Sequence, residues 1–107
     1  MRQLSAIELD KLLQAPVKIR PVVIDVRETW EWQHAKIEGT THLPMNEIPD
    51  RIQEIDSTHP TVVICHHGVR SLQVVAYLQR MGFNNLHNLQ GGIDAWSRTV
   101  DSTVPLY

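Results

Sequence analysis

Thr61-Val62-Val63-Ile64-Cys65-His66-His67-Gly68-Val69-Arg70-Ser71 is the stretch that decides the fold. Residues 61–64 are all β-branched. Such a short run, apolar on both sides, reads as a strand of a parallel sheet covered by helices. Beyond Ser71, Leu72, Val75, Ala76 and Gln79 mark one face of a helix, and Gly82 suits the position just past its end. A strand, a tight turn with a glycine and a helix start thus follow one another within a few residues.

Outward from this stretch the same alternation recurs. Val22-Val23-Ile24 is a second β-branched run, extended past Asp25 by Val26. Residues 27–36 are polar with two tryptophans and read as a short helix and loop. Thr41-His42-Leu43 reads as a short strand stopped by Pro44. Ile48, Ile52 and Ile55 have helical spacing, with Pro49 tolerable only in a first turn. Residues 85–89 read as a last strand, broken by Gly91-Gly92 before a helix over 93–100. Near the start, Ser5 and Glu8 form a capping box for a helix that ends before Pro16. The expected architecture is α/β: a mainly parallel sheet of about five strands with helices on both faces, joined by right-handed crossovers. Ligands of such sheets bind beyond the C-terminal strand ends, where Asp25 and Cys65 fall.

The bulk numbers bound the function. One hundred and seven residues argue for a single domain over 1–107. The formal charge is −2, and the ten Lys and Arg form no stripe, so neither nucleic acid nor a membrane surface is expected as partner. No apolar run approaches the roughly 20 residues of a membrane span, and the first residues do not read as a signal peptide. A single cysteine excludes an internal disulfide framework. A reducing cytoplasm is the expected compartment.

Taken alone, Cys65 is a small buried hydrophobe. Its setting argues for more. A strand, a tight turn and a helix N-terminus point backbone amides at one spot, and the helix dipole adds partial positive charge there. Gly68 permits a positive φ. Arg70 brings a permanent cation, either to close the loop and meet an anion or to pair with a carboxylate. A cysteine held this way is expected to be a nucleophilic thiolate near neutral pH.

CHHGVRS at 65–71 resembles the active-site loop of the rhodanese family of sulfurtransferases. IDVRE at 24–28 resembles the family's aspartate-bearing strand end, IEGTTHLP at 37–44 its glycine-then-proline strand, and NLQGGIDAW at 88–96 its closing segment. The four motifs stand in the family's order and span nearly the whole chain, which is most similar to single-domain bacterial members. One departure is Lys36, where many relatives have histidine; that position reads as structural or as pocket rim. The nucleophile that inactive relatives lack is present. Phosphatases and arsenate reductases on a similar fold have a loop one residue longer than the six positions from Cys65 to Arg70, and a tighter cup suits a sulfur atom.

The resemblance implies Cys65 as the catalytic residue and His66, His67, Gly68, Val69 and Arg70 as the anion-binding loop, supported by Asp25, Arg27 and Ser71. It implies a small sulfur-containing anion as donor and a thiol, cyanide or thiol protein as acceptor, without a cofactor. Competing readings are a carrier or protein-docking module and a phosphatase or arsenate reductase. Asp25 is expected to support the loop or Ser71, or to pair with Arg27, with Glu28 in the same ion-pair set. The His66 and His67 side chains either steer substrates at the pocket mouth or leave the work to their amides. No metal is expected: adjacent histidines should diverge, and His34, His42 and Cys65 show no ligand spacing. Trp96 reads as packing, and Trp30 and Trp32 either pack or edge the pocket. The apolar tail at 103–107 is expected to dock on its own domain or on a second copy, which leaves monomer and homodimer open.

Overall fold

The structure, a computed structural model, describes residues 2–107. Its elements are β1 (Arg2–Leu4), α1 (Ala6–Leu13), β2 (Val22–Asp25), α2 (Thr29–His34), β3 (Thr41–His42), α3 (Ile48–Arg51), β4 (Thr61–Ile64), α4 (Val69–Arg80), β5 (Leu86–Leu89) and α5 (Gly92–Thr99). The strands form one sheet in the order β1-β5-β4-β2-β3, and every pairing is parallel. β4 is central, so the residue after it emerges mid-sheet with neighbours on either side. Among the described residues no helix is long and apolar enough to cross a membrane.

Alternation along the strands builds two cores. Val23, Val62, Ile64 and Leu89 face one side, where Leu9 of α1 and Ile93 and Trp96 of α5 cover them. Ile24, Val63, Cys65 and Leu86 face the other, against Ile48, Val74, Val75 and Leu78. This explains the continuous β-branched runs: β4 throughout, and β2 from Val23 on, are buried on both faces. The capping box at Ser5 and Glu8 is formed with both reciprocal hydrogen bonds, at 3.1 and 3.0 Å.

Several elements differ from the sequence reading. β1 was not expected. It is a three-residue edge strand with only Leu4 buried, too short for a periodic signal, and its pairing with β5 places it. Residues 45–54 form a short α-helix between two 3-10 turns instead of one helix, with Pro49 in the first α-turn as required. The buried stripe of α4 is Ser71, Val74, Val75 and Leu78, whereas Leu72 and Ala76 are exposed. A polar residue opens that stripe because it has partners inside, which an apolar pattern does not reveal.

The turn into α5 is where the fold meets the loop after β4. Ile93 and Asp94 donate their amides to the carbonyls of Cys65 (2.9 Å) and His66 (3.1 Å). Gly92 has φ +61, and a Cβ there would stand 2.3 Å from the His66 carbonyl oxygen and 2.5 Å from that of Cys65. Nothing but glycine fits without moving the loop. Gly92→Ala is expected to lower unfolding free energy by about 2 kcal/mol or more, from left-handed backbone strain plus the clash. Urea denaturation checks this; an unchanged midpoint would show that the loop yields freely.

Candidate active site

Cys65 leaves the end of β4 and is 1% exposed, so its sulfur lies at the bottom of the loop. The chain then turns through His66 and His67 to Gly68, whose φ of +99 starts α4. The Gly68 amide donates to the Cys65 sulfur at 3.1 Å. The first turn of α4 adds the positive end of its dipole. Ser71, one turn into the helix and fully buried, places its Oγ 3.3 Å from the same sulfur. The Cβ position of Gly68 faces the Leu89 carbonyl oxygen at 3.2 Å, so the loop is also pressed against β5. The Gly68 amide, the head of α4 and the Ser71 hydroxyl thus surround a sulfur that solvent barely reaches.

Of the two roles expected for Asp25, the structure has the pair with Arg27. Asp25 reaches neither the loop nor Ser71. Its carboxylate takes three hydrogen bonds from the Arg27 guanidinium, at 2.7 to 3.1 Å, and one from the Arg27 amide. Both side chains are fully buried. Burial opposes the Arg27 charge, but the Asp25 carboxylate and the Tyr107 hydroxyl outweigh it, and its pKa is raised. Arg27 also donates to the Ala35 and Glu31 carbonyls, which ties α2 and its following turn to the strand end. Glu28 does not join this pair; its amide donates to the Glu31 carboxylate and its own carboxylate accepts from the Trp30 indole.

Arg70 is not free to wait for an anion. It makes a two-pronged pair with Glu31 of α2, at 2.7 and 2.8 Å. Those bonds, against the cost of burial and with help from the Tyr107 hydroxyl and the Glu28 amide, hold the Glu31 carboxyl down at about 2. The pair bridges the first turn of α4 to the helix after β2. Beside it, Val26, Glu28, Pro44, Met45, Asn46 and Arg70 line a cleft of about 380 Å³. Val69 is largely exposed at the helix start. Lys36 lines a separate cleft beneath the tail, its ammonium 5.0 Å over the Trp32 ring.

Tyr107 docks on its own domain. Its hydroxyl accepts from Arg27 at 2.8 Å and donates to Glu31 at 2.7 Å, and its ring stacks on His66 at 3.8 Å. Burial, with the Glu31 carboxylate, pushes the phenol up to about 12. One side chain thus joins two ion pairs to the loop. The two loop histidines converge instead of diverging, with ring centroids 3.8 Å apart. Desolvation and the neighbouring His67 lower the His66 pKa, favouring the neutral ring. His66 lies between the Tyr107 ring, on which it stacks, and the tilted His67 ring. With Asp94 they bring one ligand atom each within 4.8 Å, the set among the described residues that can hold a metal ion. Arg98, 3.0 Å from the Asp94 carboxylate, competes with a cation there. Trp96 is buried in the core, Trp32 stacks on His42, and Trp30 is mostly exposed.

Glu31, Asn88 and Tyr107 belong to this constellation and were not singled out from the sequence. Asn88 lies within a recognised motif, but no spacing rule links it to Ser71. Glu31 sits between two tryptophans in a polar segment and carries no signal. Tyr107 was legible only as part of an apolar tail.

A parallel sheet that ends its central strand on a cysteine, wrapped by a short amide-lined loop at a helix start, defines a class of cysteine-loop α/β domains. The chain belongs to the rhodanese-like domain family, whose model matches residues 5–99. It is 36% identical over 83 residues to the thiosulfate sulfurtransferase GlpE of Stutzerimonas stutzeri, covering 78% of this chain and 76% of that one. It is 39% identical over 77 residues to a sulfurtransferase of Allochromatium vinosum, 72% of each chain. A solved rhodanese-like domain protein from Staphylococcus aureus superimposes with a TM-score of 0.82 at 30% identity, over 100% of this chain and 99% of that one.

Two outcomes test the ion pairs. Arg27→Met leaves the Asp25 carboxylate buried and unpaired, at an expected cost of about 3–5 kcal/mol in unfolding free energy. Glu31→Gln should be destabilising in a pH-dependent way. The Glu31 carboxyl is depressed from 4.5 to about 2, so its contribution is complete above about pH 4.5 and is lost as pH falls towards 2. The gap in denaturation free energy between wild type and Glu31→Gln should close over that window. A gap that persists at pH 2 would mean the pair is not what stabilises the fold.

Proposed function

We propose that this chain is a sulfurtransferase that moves a sulfane sulfur from thiosulfate or a similar anion to a thiophilic acceptor through a Cys65 persulfide. The observation that carries the reading is the Cys65 sulfur itself: 1% exposed, bonded by the Gly68 amide at 3.1 Å, at the start of a twelve-residue helix. The relatives named thiosulfate sulfurtransferase add to it.

In the first half-reaction the Cys65 thiolate attacks the outer sulfur of thiosulfate. A Cys65–sulfur bond forms, the sulfur–sulfur bond of the donor breaks, and its electron pair leaves on sulfite. The outer sulfur of the new persulfide carries the negative charge. Amides of residues 66–70 and the helix dipole stabilise it where it forms. In the second half-reaction a thiol or cyanide attacks that outer sulfur and Cys65 departs as thiolate. Charge is conserved in both steps, and neither calls for a metal or organic cofactor. The near-complete burial of Cys65 favours a donor whose leading end is a single small atom. Arg70, committed to Glu31, then shapes the loop and lends positive potential instead of a free binding hand.

The test is covalent and direct. Thiosulfate should add one sulfur atom to Cys65 by mass spectrometry, and cyanide should then remove it as thiocyanate. Cys65→Ala should lose both steps. Wild type and Cys65→Ala behaving alike would overturn the reading. Loading without turnover would indicate a carrier, and phosphoester hydrolysis a phosphatase.

A further inference from the structure

Ser71 has one hydroxyl proton and two neighbours that can claim it. The Cys65 sulfur is 3.3 Å from its Oγ, and Asn88 Oδ1 makes a very short contact with it. Which neighbour receives the proton is settled by the rest of the Asn88 amide. Its other terminus faces the Gly68 carbonyl oxygen at 3.2 Å and Gln3 Oε1 at 3.0 Å. A backbone carbonyl only accepts, so the group facing Gly68 is the amide nitrogen. Oδ1 therefore faces Ser71, and it too only accepts. The proton in the short contact comes from Ser71. That leaves Ser71 a lone pair for the sulfur.

We propose that Asn88 is a positioning residue that commits the Ser71 proton to itself, so that Ser71 meets the Cys65 sulfur as an acceptor and favours states whose inner sulfur is uncharged. In the thiol, the S–H donates to Ser71, which donates to Asn88. In the bare thiolate, Ser71 must either turn its proton away from Asn88 or point a lone pair at a charged sulfur. In the persulfide the charge sits on the outer sulfur, and the Ser71–Asn88 bond is kept. The relay thus raises the free energy of the unloaded thiolate relative to the loaded form. Asn88 is 2% exposed and Ser71 fully buried, so water does not supply a substitute proton. Gln3, the register partner of Asn88 on β1, helps to lock the amide.

The test is the pH titration of the Cys65 thiolate, read from its ultraviolet absorbance as the difference from Cys65→Ala, which uses no sulfur donor and needs no reagent to reach the buried sulfur. Its outcome is therefore independent of the sulfur-transfer reading. Arg70 with its partner Glu31, His66, His67, Asp94 and Tyr107 are the charged and titratable groups around the loop, and the Asp25–Arg27 pair lies at the next strand end. All are kept in each variant. Asn88→Leu frees the Ser71 proton for the thiolate and should move the midpoint down by about one pH unit. The same change in a Ser71→Ala background should move nothing, which separates the relay from general loosening of the loop. Ser71→Ala alone should leave the midpoint in place or slightly lower it. A midpoint unmoved by Asn88→Leu, an equal shift in the Ser71→Ala background, or a rise of about one unit in Ser71→Ala alone overturns the proposal. Should Asn88→Leu fail to fold by circular dichroism, the Ser71→Ala profile decides. One further readout rests on the sulfur-transfer reading: above both midpoints, the persulfide-to-thiolate ratio at fixed thiosulfate and sulfite should fall about tenfold in Asn88→Leu. An unchanged ratio removes the persulfide part of the proposal.

Discussion

The carbonyls of Cys65 and His66 accept hydrogen bonds from the first amides of α5, and the turn that delivers those amides passes where no side chain fits. The consequence reaches the cysteine. A trans peptide sets its N–H opposite its C=O. Directing the carbonyls of residues 65 and 66 toward α5 therefore turns the following amides away from it. The hydrogen-bonding capacity of the loop is divided this way: acceptors go to the scaffold, and donors remain for the site. On the next peptide, the Gly68 amide donates to the sulfur at 3.1 Å.

A second layer ties this loop to the end of β2 and to α2. Asp25 with Arg27, and Glu31 with Arg70, form two ion pairs joined through the Tyr107 hydroxyl. Buried pairs of this kind add little net stability over a hydrophobic substitute, but each partner is costly to leave alone. Their effect is to specify geometry. The Arg27 fork gathers the end of β2 and the carbonyls of residues 31 and 35, while the Arg70 fork ties the head of α4 to α2. Tyr107 then lays an aromatic face on His66, which connects the tail of the chain to the loop mouth.

The parallel sheet was legible because strands buried on both faces must be largely apolar, as 22–24 and 62–64 are. The first helix was legible because its capping box is local, as was the positive φ of Gly68. β1 was not, since three residues with one buried leucine have no period and exist as a strand only by pairing with β5. The buried face of α4 was misread by about one position because Ser71 opens it. Glu31 and Asn88 were silent for a related reason: each acts on a residue 39 or 17 positions away, and nothing near it in the chain marks that partner.

By itself the sequence determined what depends on neighbours along the chain: the strand, the loop of six positions from Cys65 to Arg70, the glycine that turns it, and the helix that follows. Only the tertiary structure decided the partners. Asp25 could have supported Ser71 or paired with Arg27, and it pairs with Arg27. Arg70 could have awaited an anion, and it is clamped to Glu31. Ser71 could have given its proton to the sulfur, and Asn88 takes it. Each is a competition for one hydrogen bond or one charge among groups distant in sequence. Such a competition is settled by distance and orientation, which exist only once the sheet has brought its strand ends together.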